Sequence, residues 1–300
     1  MTKKPKFSIG SWAFSFGPFE KNPWTFNQVC EYSAEAGYDG IEINGFHPHP
    51  HPDVYNSDAK CAELKKYLDG LGLGISGYAP DFTMAPPAKV EQGLYMAEVE
   101  KCTAFCSRMG IELLRTDTIT PPEPIEGAAY EEQFKRLADN WRAAAELAEK
   151  NGQTIVWEFE PGFWLNKASE VIRMVETVDH DKFKLLFDTS HAYMGAVIGA
   201  RHHGEKEILE GGLNEYARLA KPHIGHFHLI DSDGKLHDEE TSVHAPFGAG
   251  FVGFPAVLEE LGDSVESLDW WCFDFCFCPT TEEDGRKAIP FVNKLLEDRK

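Results

Sequence analysis

No run of about 18 apolar residues occurs in the 300-residue chain, so no membrane-spanning helix is expected. Basic residues are scarce: 29 Lys and Arg stand against 49 Asp and Glu, a formal net charge of −20. Such a surface repels phosphodiester backbones and anionic headgroups at long range, which argues against nucleic acid and the membrane as partners. No G-x-G-x-x-G or P-loop pattern follows any predicted strand, so the usual signals for a dinucleotide or nucleoside triphosphate are missing. The seven cysteines lack paired C-x-x-C spacing, and an odd number within predicted helices and strands speaks for reduced thiols over a disulfide framework. The start MTKKPKFSIGSWAF has basic residues but no apolar signal region behind them, which predicts a cytoplasmic chain. No linker rich in Ser, Gly or Pro marks a boundary, so residues 1–300 are expected to form one domain.

What is present is 42% hydrophobic residues in a regular alternation of short β-rich runs and helical periodicities. The predicted strands are 7–14, 40–44, 74–78, 111–116, 154–160, 183–187, 223–230 and 270–277. The predicted helices are 23–36, 58–71, 90–109, 130–150, 167–178, 205–219, 255–261 and 281–297. Several end at a glycine suited to a C-cap, such as Gly37, Gly110 and Gly152. Eight β/α units in this length predict an α/β TIM (β/α)8 barrel, whose active site lies at the C-terminal ends of its strands.

The stretch TIVWEFEPG organises the rest. Alternate strand residues share a face, so Glu158 and Glu160 point one way while Trp157 and Phe159 point the other, and Pro161-Gly162 ends the strand. A carboxylate ending a buried apolar strand needs a cation against it. Glu158 ends strand five, Asp188 strand six, His228 strand seven and Asp274 strand eight, each about one β/α unit after the last. In HIGHFHLID, His226 shares a face with His228 but lies one layer deeper. Three carboxylates and one imidazole suit a single divalent ion, with Mn²⁺ expected first and Mg²⁺ or Co²⁺ next. The loop GFHPHPHPD after strand two places His47 and His49 at the same mouth as candidate substrate contacts. Trp12 is a candidate for stacking on a sugar or an aromatic aglycone.

LLFDTSHA, HFHLIDSDG, PFGAGFVGF and the strand-eight acid resemble the sugar isomerase/epimerase family with the xylose-isomerase-like barrel, which includes ketose 3-epimerases, hydroxypyruvate isomerase and inosose dehydratase. The resemblance implies the same ligand set, Glu158, Asp188, His228 and Asp274, with Asp274 one methylene shorter than the family's Glu. It also implies that His191 contacts substrate. The family's arginine beyond the strand-seven histidine is missing, and Lys235 is the only nearby cation in DSDGKLH. The expected activity is metal-dependent isomerisation or epimerisation of a ketose or keto-sugar through an enediolate. Glu158 is expected as base, with Asp274 opposite, His191 supporting the oxyanion, and Glu160 among the substrate contacts. The His/Pro loop and Asp274 also resemble the larger subunit of C-glycoside deglycosidases, which implies elimination from a 3-keto-glycoside with a small second subunit. A non-catalytic carbohydrate- or metal-binding barrel is the remaining alternative. The partner expected is a small sugar or keto-glycoside, and the chain is expected to form a homo-oligomer.

Overall fold

β1 (Lys6–Gly10) opens a series of short, apolar strands in the computed structural model, which describes residues 4–299. It is followed by β2 (Gly40–Asn44), β3 (Gly74–Ala79), β4 (Leu113–Thr116), β5 (Thr154–Glu158), β6 (Phe183–Asp188), β7 (Ile224–Leu229) and, after a hairpin, β10 (Trp270–Phe273). All five residues of β2 are buried, as expected when helices cover the outside of a parallel sheet and side chains fill its inside. Among the described residues these eight strands close into a parallel barrel in the order β1-β10-β7-β6-β5-β4-β3-β2, the TIM barrel that the sequence pattern predicts.

Local sequence explains where the covering helices begin and end. Thr25 and Gln28 form a reciprocal capping box at the start of α1 (Phe26–Ala36), and Gly37 ends it in the left-handed region at φ 86°. α2 (Asp58–Leu71), α3 (Gln92–Met109) and α4 (Gly127–Lys150) continue the series. In α4, Phe134, Leu137, Trp141, Ala144 and Ala148 form one buried stripe at helical spacing. Trp141 packs against Trp157 of β5 and Phe183 of β6, with ring centroids 4.8 and 5.2 Å away, and its indole N–H donates to Thr116 Oγ1. A fully buried Phe such as Phe183 contributes roughly 1.5–3 kcal/mol by leaving water. α5 (Ala168–Val178), α6 (Thr189–Tyr193), α7 (Gly212–Ala220), α8 (Phe254–Leu261), α9 (Asp263–Glu266) and α10 (Thr281–Glu297) complete the shell. No described helix is long and apolar enough to cross a membrane. The seven cysteines are free.

Three boundaries depart from the sequence expectation by four residues or more. The first strand ends at Gly10, because Ser11–Phe14 coil into a tight 3₁₀ turn. The last strand ends at Phe273, so Asp274 stands just beyond it. The helix expected from residue 205 begins at Gly212, since Leu209 N–H bonds back to Ala196 C=O and ties the preceding segment to a π-helical turn. Unexpected altogether is the antiparallel hairpin of β8 (Asp231–His237) and β9 (Thr241–Ala245), inserted after β7. Asp231 anchors its base: the carboxylate accepts from the N–H groups of Ser232, Gly248, Gly250 and Val252.

Candidate metal centre

The barrel's C-terminal mouth gathers the four side chains expected from their places after consecutive strands. Glu158, Asp188, His228 and Asp274 each present a ligand atom, all buried and all within 4.8 Å of one another. Strand register does much of this, since Asp188 of β6 pairs with His228 of β7 and Glu158 of β5 pairs with Leu186. Asp188 also begins α6, where its Oδ1 accepts from His191 N–H at 2.8 Å. Asp274 is held from three sides: Trp12 Nε1 and Cys276 N both donate to its Oδ1 at 2.8 Å, and His244 Nδ1 lies 3.2 Å from the same oxygen. Trp12 reaches it because Gly10 has no side chain; a Cβ there would meet the indole at 2.2 Å.

The floor of this site carries unspent lone pairs. Glu158 Oε1 lies 2.9 Å from His228 Nδ1, and Glu158 Oε2 lies 2.6 Å from Arg115 Nη2. Neither contact has hydrogen-bond alignment, so both Glu158 oxygens, Asp188 Oδ2 and His228 Nδ1 are buried without hydrogen-bond partners. Buried polar atoms are normally satisfied, and these face one point. Burial, reinforced by Asp274 and Glu158 and partly offset by His244, pushes the Asp188 carboxyl up to about 7. Burial also acts to raise Asp274, but His244 and His228 outweigh it and hold that carboxyl well below the usual range. Crowded acids with free lone pairs fit a divalent cation: oxygen-rich with one imidazole, they suit Mn²⁺, Mg²⁺, Co²⁺ or catalytic Zn²⁺.

Above this floor lies a cavity of about 440 Å³ whose wall holds titratable groups. Glu160 sits past the end of β5; it accepts from Thr241 Oγ1 and faces His191 Nε2 at 3.5 Å. Burial, with the neighbouring Glu158 charge, pushes the Glu160 carboxyl up to about 8, against the Thr241 hydrogen bond. Glu158 has the opposite balance: burial acts to raise it, while Arg115 and His228 bring it below its ordinary value. His191 is paired through Nδ1 with Ser242 Oγ at 2.8 Å, and burial drops its imidazole to about 3, so it is neutral at pH 7. Burial lowers His244 too, but Asp274 overrides it and lifts the ring to about 9. Its Nε2 is buried without a hydrogen-bond partner, and the residue lines the cavity. Phe16, Phe46, Phe163 and Phe277 form an apolar collar at the rim. Phe277 holds a left-handed backbone at φ 60° and stacks on His237, centroids 4.4 Å apart.

His191, Glu160 and Trp12 line the cavity as expected, but His47 and His49 are not among its lining residues. His47 is exposed, and His49 turns inward, its Nδ1 taking the Ser11 hydroxyl and its Nε2 donating to Trp24 C=O, each at 3.0 Å. Ser11 also accepts from Asn44 N–H, so this imidazole locks the first turn to β2. Burial lowers His49 to about 4. Between that value and 6.5 the unfolded chain binds the proton and the folded chain does not, so stability falls as pH drops through this window. His49→Gln is expected to flatten the decline between pH 6.5 and 4, seen in urea melts of both proteins. An unchanged acid slope would show that His49 is not its source.

Four participants escaped the sequence reading. Arg115 comes from β4, inward-facing, and its guanidinium also lies 5.4 Å over the Trp12 ring. Asp117, just past the same strand, lies 3.6 Å from that guanidinium. Glu42 of β2 lies beneath His228, and His244 arrives on the unexpected hairpin.

Inosose dehydratase of Geobacillus thermodenitrificans (strain NG80-2) is 24% identical over 315 residues, covering 98% of this chain and 96% of the relative. Among solved structures, D-psicose 3-epimerase with D-tagatose from Clostridium cellulolyticum H10 superposes with a TM-score of 0.71 at 17% identity, covering 97% of this chain and 99% of that one. The IolI protein with a binding zinc atom gives 0.66 at 19% identity, covering 98% and 97%. These two likenesses show the shared fold. The sequence profile of the xylose isomerase-like TIM barrel matches residues 30–288, and with most of its length inside that match the chain belongs to this family.

Proposed function

We propose that this protein is a divalent-metal-dependent enzyme that removes the proton beside the carbonyl of a keto-sugar, keto-glycoside or keto-polyol and then expels a β-substituent. The observation that carries this reading is the convergence of Glu158, Asp188, His228 and Asp274, with unpartnered ligand atoms on the first three, beneath a wall of Glu160, His191 and His244. A divalent ion bound there supplies Lewis-acid polarisation of the carbonyl oxygen.

The chain's own groups do the rest. Glu160, with no Lys or Arg ion pair on its carboxylate among the described residues, accepts the proton, whereas Glu158, paired with Arg115, serves as ligand. As the C–H bond breaks, its electron pair delocalises toward the carbonyl oxygen, where Arg115 and the neutral His191 are placed to oppose the growing charge. When the carbonyl reforms, a C=C bond forms next to it and the bond to the β-substituent breaks. His244 is placed to give that leaving group its proton.

Elimination is favoured over epimerisation by the clamp on Asp274. Epimerisation needs a second acid or base on the opposite face, and the Oδ1 of Asp274 is already engaged by Trp12, Cys276 and His244. The inosose dehydratase likeness, spanning nearly the whole of both chains, agrees with loss of a substituent. The aromatic collar suits a substrate bearing an apolar group beyond its sugar ring.

The test is proton NMR in D₂O, with Mn²⁺-loaded enzyme freed of excess ion and products extracted before recording, across ketoses, inososes and 3-keto-glycosides. Deuterium at the carbon beside the carbonyl, together with an unsaturated ketone and the released substituent, is expected. Deuterated epimer without release would replace elimination by epimerisation. No exchange on any substrate by metal-loaded protein would leave a binding barrel.

A further inference from the structure

Beneath the metal floor lies a second buried cluster, one layer deeper in the barrel. Glu42 Oε2 stands 2.7 Å from His226 Nε2 and 3.2 Å from His228 Nε2, and all three side chains are at most 1% exposed. The two rings sit edge to face, centroids 5.2 Å apart. β2 is shaped to deliver this carboxylate. Its register against β3 shifts between Ile41 and Glu42, and the residue paired with Glu42 is Gly77. A Cβ on Gly77 would meet Glu42 Cδ at 3.3 Å and Cγ at 3.4 Å, tighter than ordinary contact.

We propose that Glu42 is a positioning residue that fixes His228 with its proton on Nε2, leaving the Nδ1 lone pair for the metal. An ionised carboxylate only accepts, so each imidazole nitrogen touching it carries hydrogen. For His228 the Nε2 contact is the hydrogen-bonded one, whereas Nδ1 lies 2.9 Å from Glu158 Oε1 and 3.7 Å from Asp274 Oδ2 without a hydrogen-bond partner, so an ion on that side would take the Nδ1 lone pair while Nε2 keeps its proton. A carboxylate behind a ligating imidazole orients the ring and raises its basicity. Glu42 touches neither cavity nor substrate, so its effect reaches the chemistry through His228. The role rests on the reading of Glu158, Asp188, His228 and Asp274 as the metal site.

Zn²⁺, being diamagnetic, serves as probe. Long-range ¹H–¹⁵N correlation spectra of the zinc-loaded wild-type protein are expected to place the His228 proton on Nε2. Glu42→Gln keeps shape but lacks the charge and a second clear acceptor, and its zinc Kd, measured against a chromophoric chelator, is expected to rise about 10–100-fold. In His226→Gln, Glu42 still accepts from His228, and the Kd is expected to stay within about threefold of wild type. A His228 proton on Nδ1 in the loaded protein would overturn the role whether or not Glu42→Gln folds. So would an unchanged Kd in folded Glu42→Gln. Two zinc equivalents in wild type, one lost in the variant, would make Glu42 a ligand of a second ion instead. Failure of wild type to take up zinc, manganese or cobalt would remove the metal-site reading and this role together.

Discussion

Glu160→Gln is expected to slow substrate proton exchange by roughly 10²–10⁴-fold with the metal still bound. The two glutamates at the end of β5 differ in one decisive contact. Arg115 lies against Glu158 at 2.6 Å, and a guanidinium at that distance stabilises the ionised carboxylate and weakens it as a base. Glu160 has Thr241 and His191 for neighbours, and burial raises its proton affinity. The amide of Glu160→Gln keeps the Thr241 contact through its oxygen but cannot take a proton. Glu158→Gln is expected to act differently, lowering metal occupancy first and turnover with it. The pair of variants is read by deuterium incorporation per bound metal. Wild-type exchange in metal-loaded Glu160→Gln would return the base role to Glu158.

Asp188→Asn and Asp188→Ala are both expected to abolish stable metal binding and, with it, turnover. Loss of a direct ligand exceeds the roughly 10–100-fold in affinity that outer-shell changes bring. The two variants separate ligation from folding, because Asp188 has two jobs. Its Oδ1 caps α6 through His191 N–H, while Oδ2 faces the other ligands without a partner. Asparagine keeps the cap; alanine removes it, at about 0.5–2 kcal/mol. In metal-free protein at pH 8, Asp188→Asn removes one of several crowded buried acids. Its melting temperature is therefore expected to match or exceed that of metal-free wild type, while the rise that added metal gives wild type disappears. Metal content by mass spectrometry after gel filtration, with melts with and without Mn²⁺, reads both. Full metal retention in either variant would remove Asp188 from the ligand set.

What the sequence made legible was whatever repeats with the fold. Strand-end polar residues recur once per β/α unit, and nearness to the strand's end ranked His228 above His226, which shares its face, so the convergence of Glu158, Asp188, His228 and Asp274 could be read from spacing. Glu42 and Arg115 carry no such mark. They sit within strands: the partners of Glu42 lie across the barrel, 184 to 186 residues on, and Arg115 meets Glu158 of the adjoining strand β5. The hairpin hid for a different reason. Its turn places Asp238 and Glu239 at φ 48° and 61°, a conformation usually signalled by Asn-Gly, so the residues Asp-Glu gave no hairpin cue. The proline-spaced histidines misled in the other direction: their pattern placed them at the mouth, but Ser11 and Trp24 claim His49 for the scaffold.

The β8–β9 hairpin forms its own two-stranded sheet, paired with none of the barrel strands, yet Thr241, Ser242 and His244 all reach the chemistry from it. The floor of the cavity stands on barrel strands and their ends, whereas His244 and the hydroxyls that partner Glu160 and His191 ride on an appendage pinned at its base by Asp231. Exchange of residues 232–244 between relatives is therefore expected to redirect which bond breaks while leaving the floor intact, giving evolution or an engineer a graft point for new reactions.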